Sequence, residues 1–281
     1  FTTSVVRAAC VDLCRDRLGA HEGQARAVLI NSGQANACTG DRGLVDSQRA
    51  TQALSDQLGV DAESVLICST GVIGVPIPMR TLLAGLAPLV EALDDAGGDA
   101  AANAILTTDL VDKQVALQAD LGGQKVSIGG MAKGSGMIHP DMATMLGFFS
   151  CDVAVELSLW KAMVSRAVRR SFNAITVDGD TSTNDTVLAF AAGAPLDAAH
   201  HSVLEQGLTE AMQHLAQAIA RDGEGATCLM EVQVAGTRDD QAARQVARTI
   251  VGSSLVKTAV HGRDPNYVSY THLRAHETVL D

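Results

Sequence analysis

Short apolar runs of strand length alternate along this chain with segments whose apolar residues recur at helical spacing. The runs "ARAVLIN" (25–31) and "SVLIC" (64–68) predict two buried strands, and the alternation in "TCLMEVQVA" (227–235) predicts a strand with one wetted face. Five helices are predicted from the apolar positions Ala50, Ala53, Leu54 and Leu58; Leu82, Leu83, Leu86, Leu89, Val90 and Leu93; Leu159, Met163 and Ala167; Leu204, Leu208, Leu215 and Ile219; and Ala243, Val246, Ala247 and Ile250. The chain is therefore predicted to be α/β or α+β, with helices packed on sheets.

Capping residues predict where some of these helices begin and end. Asp46 and Ser47 are candidate N-caps of the first helix, and Pro78 is predicted to open the second. Arg221 and Gly223 are predicted to close the fourth helix, as a cation near the negative helix end and as the C-cap.

Charge and hydropathy exclude several classes of function. With 21 basic against 32 acidic residues, the net charge of −11 opposes nonspecific binding to nucleic acid or to an anionic membrane. The apolar runs fall well short of the roughly 20 residues of a membrane span. We therefore expect small-molecule or protein partners, no nucleic acid and no membrane.

The six cysteines are too sparse for a disulfide scaffold, which favours a reduced, cytoplasmic protein. Cys10 and Cys14 would share a helix face, but two thiols without a second pair or a nearby histidine make a weak metal site. No metal is predicted.

Four polar, glycine-bearing segments lie next to predicted strands, where loops commonly carry function. They are "NSGQANACTG" (31–40), "CSTGVIG" (68–74), "GGMAKGSGM" (129–137) with "MATML" (142–146), and "DGEGA" (222–226). Ordinary turns are the alternative for any one of them.

The glycine-rich third segment lacks the spacing of a phosphate loop. In "DGDTSTND" (178–185), Thr183 and Ala189 stand where a calcium loop needs glycine and glutamate, so a hydrogen-bonded turn is the better interpretation.

Thr144 suggests a specific chemistry. A threonine hydroxyl becomes a useful nucleophile when a base removes its proton, and the residue's own α-amine can be that base once the preceding peptide bond is cut. The small Ala143 and the glycines upstream would let the backbone bend for such a cut. The alternative is a threonine that is merely packed in the core.

Seven motifs in order resemble those of one family. They are "NSGQANACTG", "CSTGVIG", "TTD" (107–109), "KGSGMIHPDMATML" (133–146), "VDGDTSTNDT" (177–186), "RDGEGATC" (221–228) and "VKTAVHGRDPN" (256–266). They resemble the ornithine acetyltransferases, the bifunctional glutamate N-acetyltransferases of arginine biosynthesis. The resemblance spans residues 1–266.

The resemblance implies roles for particular residues. It implies autocatalytic cleavage between Ala143 and Thr144, with Thr144 as the acetyl-carrying nucleophile. Thr70 and Gly71 would form the oxyanion hole. The residues expected to contact substrate are Thr107, Lys133, Thr144 and Glu224. Lys133 could pair with a substrate carboxylate and Glu224 with an ammonium group.

The resemblance also implies a fold and a reaction. The expected fold is α/β, a layered αββα sandwich of mixed sheets and helices shared with DmpA-type aminopeptidases, incomplete at its C-terminus. The expected reaction is ping-pong transfer of acetyl from N2-acetyl-L-ornithine to L-glutamate, with acetyl-CoA as a further possible co-substrate and no bound cofactor. Two α and two β chains are expected to form a heterotetramer. An aminopeptidase or amidohydrolase of the same fold, and an inactive fragment, stay open as alternatives.

The two ends of the chain depart from the family pattern. "VSYTHLRAHET", from Val268, resembles a translated sequencing adapter, and the chain begins with Phe1. We therefore expect an N-terminally truncated α chain over 1–143, a C-terminally truncated β chain over 144–267, and a non-native tail over 268–281.

Overall fold

The computed structural model describes residues 1–139 and 145–264, which form eight α-helices and six strands within these ranges. The strands are β1 (Ala27–Gln34), β2 (Val65–Val72), β3 (Lys113–Leu121), β4 (Gln124–Lys133), β5 (Leu146–Ala154) and β6 (Thr186–Pro195). The helices are α1 (Ala9–Ala20), α2 (Gly40–Leu58), α3 (Met79–Glu91), α4 (Gly98–Ala104), α5 (Leu157–Arg169), α6 (His201–Arg221), α7 (Asp240–Gly252) and α8 (Ser254–His261).

The strands form two sheets. In the first, β1 and β2 run parallel. The second has the order β3-β4-β5-β6, with antiparallel pairs β3–β4 and β4–β5 and a parallel pair β5–β6. Lys133, the last residue of β4, pairs with Leu146, the first residue of β5. This register places Leu146, at the start of β5, opposite Lys133.

The two sheets form the inner layers of a sandwich. Neighbouring side chains on β5 point to opposite faces, so Phe149 joins a core with α5 and α6, whereas Phe148 joins a second core with Leu29 and Leu66 of the other sheet. Helices α1 and α2 pack on β2. The order is helices, sheet, sheet, helices, and the predicted αββα sandwich is confirmed.

Helix α6 is the largest contributor to the core beside the second sheet. The residues at its helical spacing, Leu204, Leu208, Leu215 and Ile219, are all buried, as predicted. The predicted cap is wrong by one residue, because the C-cap is Asp222, whose N–H donates to the Ala218 carbonyl. Asp222 is held there by its side chain, which accepts a hydrogen bond from Lys113.

The other four predicted helices are present, with two corrections at their ends, although Leu89 of α3 and Val246 of α7 are exposed. Helix α2 begins at Gly40, so Asp46 and Ser47 lie inside it and are not N-caps. Ser47 is buried, and its hydroxyl is paired there because it accepts a hydrogen bond from the Asn36 amide. Helix α3 follows Pro78 as predicted but ends at Glu91, which leaves Leu93 outside it and exposed.

The predicted strand over 227–235 is wrong. These residues adopt no regular structure, because neither sheet supplies a neighbouring strand within the described residues, and an extended segment needs a paired backbone. Most of them line a cavity of about 840 Å³ together with residues of α6 and α7. No described helix has the length and apolar character needed to cross a membrane.

The packing predicts that Leu215→Ala in α6 lowers the free energy of unfolding by about 2–5 kcal/mol, because Leu215 is fully buried and its loss leaves a cavity. Urea unfolding measures the change. Val203→Ala in the same helix is the control, since Val203 is 47% exposed, and its cost is expected to be about 0.5 kcal/mol or less. Equal costs for the two variants would contradict the assignment of α6 to the core.

Candidate active site

Lys133 brings three of the predicted site residues together. Its buried ammonium donates to the Thr107 hydroxyl (Nζ–Oγ1 2.6 Å) and to the Thr70 hydroxyl (Nζ–Oγ1 3.3 Å). These residues come from the end of β4, the loop after α4 and the end of β2. Three distant segments therefore converge on one cation, and only the fold brings them together.

Thr70 and Gly71 are positioned by the parallel pair of β1 and β2. The run from Val65 to Thr70 is buried, so β2 is fixed along its length, and Gly71 is the first exposed residue after it. Gly71 has φ +125° and lies opposite Gly33. A Cβ at Gly71 would lie 2.3 Å from the Gly33 carbonyl carbon and oxygen, so only glycine allows the two backbones this approach.

A buried carboxylate faces Lys133. Asp109 Oδ2 lies 3.5 Å from Lys133 Nζ, and its Oδ1 accepts hydrogen bonds from Lys113 Nζ at 2.9 Å and from the Gly134 N–H at 2.6 Å. Burial lowers the pKa of Lys133, and the Asp109 charge offsets part of that effect. Burial alone would raise the pKa of Asp109, but Lys133 and Lys113 hold it below its ordinary value.

Glu224 lies at the open side of the same site. Its N–H donates to the Ser135 carbonyl at 2.7 Å, and its carboxylate lies so close to Gly136 that a Cβ there would be 2.6 Å from Glu224 Cδ. The Glu224 charge acts on Lys133 and raises the pKa of that lysine, although less than Asp109 does. Glu224 also borders the 840 Å³ cavity, which Thr70, Thr107 and Lys133 do not line.

Ala143 and Thr144, the predicted cleavage pair, lie outside the described residues. The backbone on each side of 140–144 is held by one polar segment, 178–185. Asp178 accepts from the N–H groups of Met137 and Ile138 on one side, and Asp185 Oδ1 accepts from the Met145 N–H at 3.1 Å on the other. Asp178 Oδ1 also accepts from the Asp180 N–H at 3.1 Å, which confirms the predicted hydrogen-bonded turn.

Asp185 is an acid in an unusual environment. It is fully buried, and its Oδ2 has no hydrogen-bond partner among the described residues. Burial raises the pKa of Asp185 to about 7. An acid of this kind next to the residue that follows Thr144 can exchange a proton near neutral pH.

Sequence reasoning placed Thr70, Gly71, Thr107, Lys133, Thr144 and Glu224 in one site. The structure brings Thr70 and Thr107 within hydrogen-bond distance of Lys133, and the Glu224 charge acts on that lysine, whereas Thr144 lies outside the described residues. Their individual roles stay predictions. It missed three buried charges: Lys113, Asp109 and Asp185. Asp109 belongs to the quoted "TTD" motif, so a signal existed, and Lys113 is only four residues further on, but Lys133 lies on a different strand.

The arrangement is suited to binding a small anion. A buried ammonium with two hydroxyls next to it, and a backbone turn at Gly71, can stabilise a carboxylate or a developing oxyanion. The exposed carboxylate of Glu224 can pair with an ammonium group. Fold and site together define an αββα protein with a buried lysine held between two threonine hydroxyls near the ends of β2 and β4.

Comparison with known proteins gives the family. The ArgJ family model matches residues 1–269, and this chain belongs to that family. The arginine biosynthesis bifunctional protein ArgJ of Parasynechococcus marenigrum is 81% identical over 267 residues, and that of Prochlorococcus marinus strain MIT 9313 is 72% identical. The matches cover 95% of this chain but only 65% and 62% of those relatives.

Two solved structures are also similar. The ArgJ protein of Bacillus halodurans is 39% identical with a TM-score of 0.47, over 51% of this chain and 74% of that one. The ornithine acetyltransferase of Mycobacterium tuberculosis, solved in complex with ornithine, is 44% identical with a TM-score of 0.47, over 50% of this chain and 74% of that one.

The close approach of β1 and β2 predicts that Gly71→Ala is more destabilising than Gly74→Ala. Both residues have positive φ, but a Cβ at Gly74 meets no atom within 4 Å, so the control isolates the clash with Gly33. We expect Gly71→Ala to cost about 1–3 kcal/mol more in free energy of unfolding, measured by urea titration. Equal costs would mean that the two backbones separate freely.

The raised pKa of Asp185 predicts a pH dependence of stability. Between 3.8, its ordinary value, and about 7, the folded state keeps a proton that the unfolded state has released. Stability is therefore expected to fall as pH rises through this window, by on the order of a few kcal/mol, and the loss is complete above it.

Asp185→Asn is expected to remove this decline, because the amide oxygen can still accept from the Met145 N–H but no longer titrates. Urea unfolding at several pH values measures it, with the exposed Asp95→Asn as the control. Parallel pH profiles for the wild type and Asp185→Asn would contradict the assignment.

Proposed function

We propose that this protein is an acyltransferase with Thr144 as its nucleophile, which moves acetyl from N2-acetyl-L-ornithine to L-glutamate. The observation that carries the proposal is the buried Lys133 ammonium, held beside Thr70 and Thr107. Lys133 pairs with Leu146, and Thr144 precedes Leu146 by two positions in the sequence. The names of the relatives, which refer to arginine biosynthesis and ornithine acetyltransfer, support the substrate class.

The site gives each substrate group a partner. Lys133 would bind the substrate carboxylate, and the exposed Glu224 would take an ammonium group. The Thr70 hydroxyl and the Gly71 N–H would stabilise the oxyanion of the tetrahedral intermediate. These assignments use the convergence of charges described above and agree with a zwitterionic substrate.

The reaction would proceed in two halves. Autocatalytic cleavage before Thr144 frees its α-amine, which takes the proton of the hydroxyl while Oγ attacks the acetyl carbonyl. The amide C–N bond breaks, and ornithine leaves with the proton. The glutamate amine then attacks the Thr144 acetyl ester, the C–O bond breaks, and Oγ regains a proton.

The assembly belongs to the same proposal. Residues 1–143 and the chain from Thr144 onward would be the α and β chains, two of each, in the cytoplasm. Acetyl-CoA stays a possible second acetyl donor, and no bound cofactor is needed for either half-reaction.

Thr144→Ala is expected to abolish both cleavage and transfer, because both use the same hydroxyl. Intact mass measures cleavage: the wild type should give two chains, the second beginning at Thr144, and the variant one uncut chain. Thr81→Ala, an exposed helical threonine, is the control and should behave as the wild type.

Assays with N2-acetylornithine, with and without glutamate, measure transfer. We expect acetylglutamate and ornithine in equal amounts and little acetate. Acetate release that is independent of glutamate would instead favour a hydrolase of the same fold. Activity retained in Thr144→Ala would exclude Thr144 as the nucleophile.

A further inference from the structure

Four charged side chains form a buried cluster behind the Lys133 ammonium. Lys113 Nζ lies 2.9 Å from Asp109 Oδ1 and 2.7 Å from Asp222 Oδ2, and Asp109 Oδ2 lies 3.5 Å from Lys133 Nζ. None of the four side chains is more than 6% exposed. Buried charges are costly unless they are paired, so each of these groups depends on its neighbours.

Asp109 is connected to the site in three ways. Besides facing Lys133, its carboxylate accepts from the Gly134 N–H, directly after Lys133, and from the Thr107 N–H at 3.2 Å. The Thr107 hydroxyl in turn accepts from Lys133 Nζ at 2.6 Å. Asp109 therefore fixes the lysine charge, the lysine backbone and the hydroxyl that the lysine meets.

Lys113 competes with Lys133 for the same carboxylate. Its ammonium bridges Asp109 to Asp222, the residue at the end of α6 and two positions before Glu224. The cluster therefore connects the two residues that are proposed to bind the charged ends of the substrate.

We propose that Asp109 is a positioning residue that keeps Lys133 charged and directed at the Thr70 and Thr107 hydroxyls, and that Lys113 limits this effect by sharing the carboxylate. This inference rests on the proposed function, in which Lys133 binds the substrate carboxylate. If Lys133 does so, the affinity for that carboxylate also depends on Asp109 and Lys113, which do not touch the substrate.

The charges that face Lys133 give the expected signs. Asp109 and, more weakly, Glu224 favour its ammonium form, whereas burial and Lys113 disfavour it. Removing the Asp109 charge should lower the pKa of Lys133. Removing Lys113 should raise it, because one repulsive charge is lost and Asp109 then serves Lys133 alone.

Lysine ¹³Cε NMR titration of the intact protein tests this directly, with the Lys133 signal assigned from its absence in Lys133→Arg. Asp109→Asn is expected to move the Lys133 midpoint to lower pH. The double variant Lys113→Met/Asp222→Asn removes one cation and one anion together, so neither charge is left unpaired, and it is expected to move the midpoint to higher pH. Asp152→Asn, an exposed carboxylate on β5, is the control and should leave it unchanged.

Opposite shifts support the inference. Shifts in the same direction, or no shift in either variant, overturn it. If Asp109→Asn does not fold, the double variant decides alone: a rise in the midpoint supports the inference and an unchanged or lower midpoint overturns it.

A second readout separates this inference from the proposed function. Asp109→Asn is expected to raise KM for glutamate about tenfold or more with a smaller change in kcat, because removing one partner of a buried charge pair weakens what the other can bind. If the Lys133 midpoint moves as expected but KM does not, the positioning role stands and the role of Lys133 in substrate binding is wrong.

Discussion

The buried ammonium of Lys133 is the interaction on which the candidate site depends. A lysine removed from water must be paired, and here the partners are a carboxylate and two hydroxyls. Asp109 and Thr107 come from one loop and Thr70 from a distant strand. The requirement to satisfy one charge therefore connects the end of β2, the loop after α4 and the end of β4.

The sandwich makes that burial possible. The sheet of β1 and β2 covers one face of the four-stranded sheet, and α5 and α6 cover the other, so the ends of β2 and β4 meet between layers that exclude water. The antiparallel register of β4 and β5 then places Leu146 opposite Lys133. The fold and the site thus share one cause, the packing of two sheets face to face.

The sequence predicted the elements whose signal is local. The apolar runs of β1 and β2 and the spacing of α6 are determined by residues close together in the chain, and they are confirmed. The segment 227–235 has the alternating pattern of a strand but lacks a neighbouring strand within the described residues, so the strand predicted there is wrong. The start of α2 was missed because its N-cap, Thr39, makes no capping hydrogen bond with its side chain, whereas Asp46 and Ser47 resemble N-caps but lie inside the helix.

The site was predictable only in part, because the contacts between distant residues leave no local signal in the sequence. The motifs indicated Thr70, Thr107, Lys133 and Glu224, but nothing in them indicated that Asp109 would be shared between Lys133 and Lys113. Such a pairing depends on how separate strands and loops meet, and no spacing rule carries that information. Asp185 was missed likewise, since its raised pKa comes from burial.

In the proposed mechanism the acetyl group passes through Thr144. Peptide mass mapping tests this after the protein is incubated with ¹³C-acetyl-labelled N2-acetylornithine, without glutamate, and quenched in acid. We expect the label on the peptide that begins at Thr144, and its loss when glutamate is added before the quench. Label on another residue, or label on Thr144 that glutamate does not remove, would contradict it.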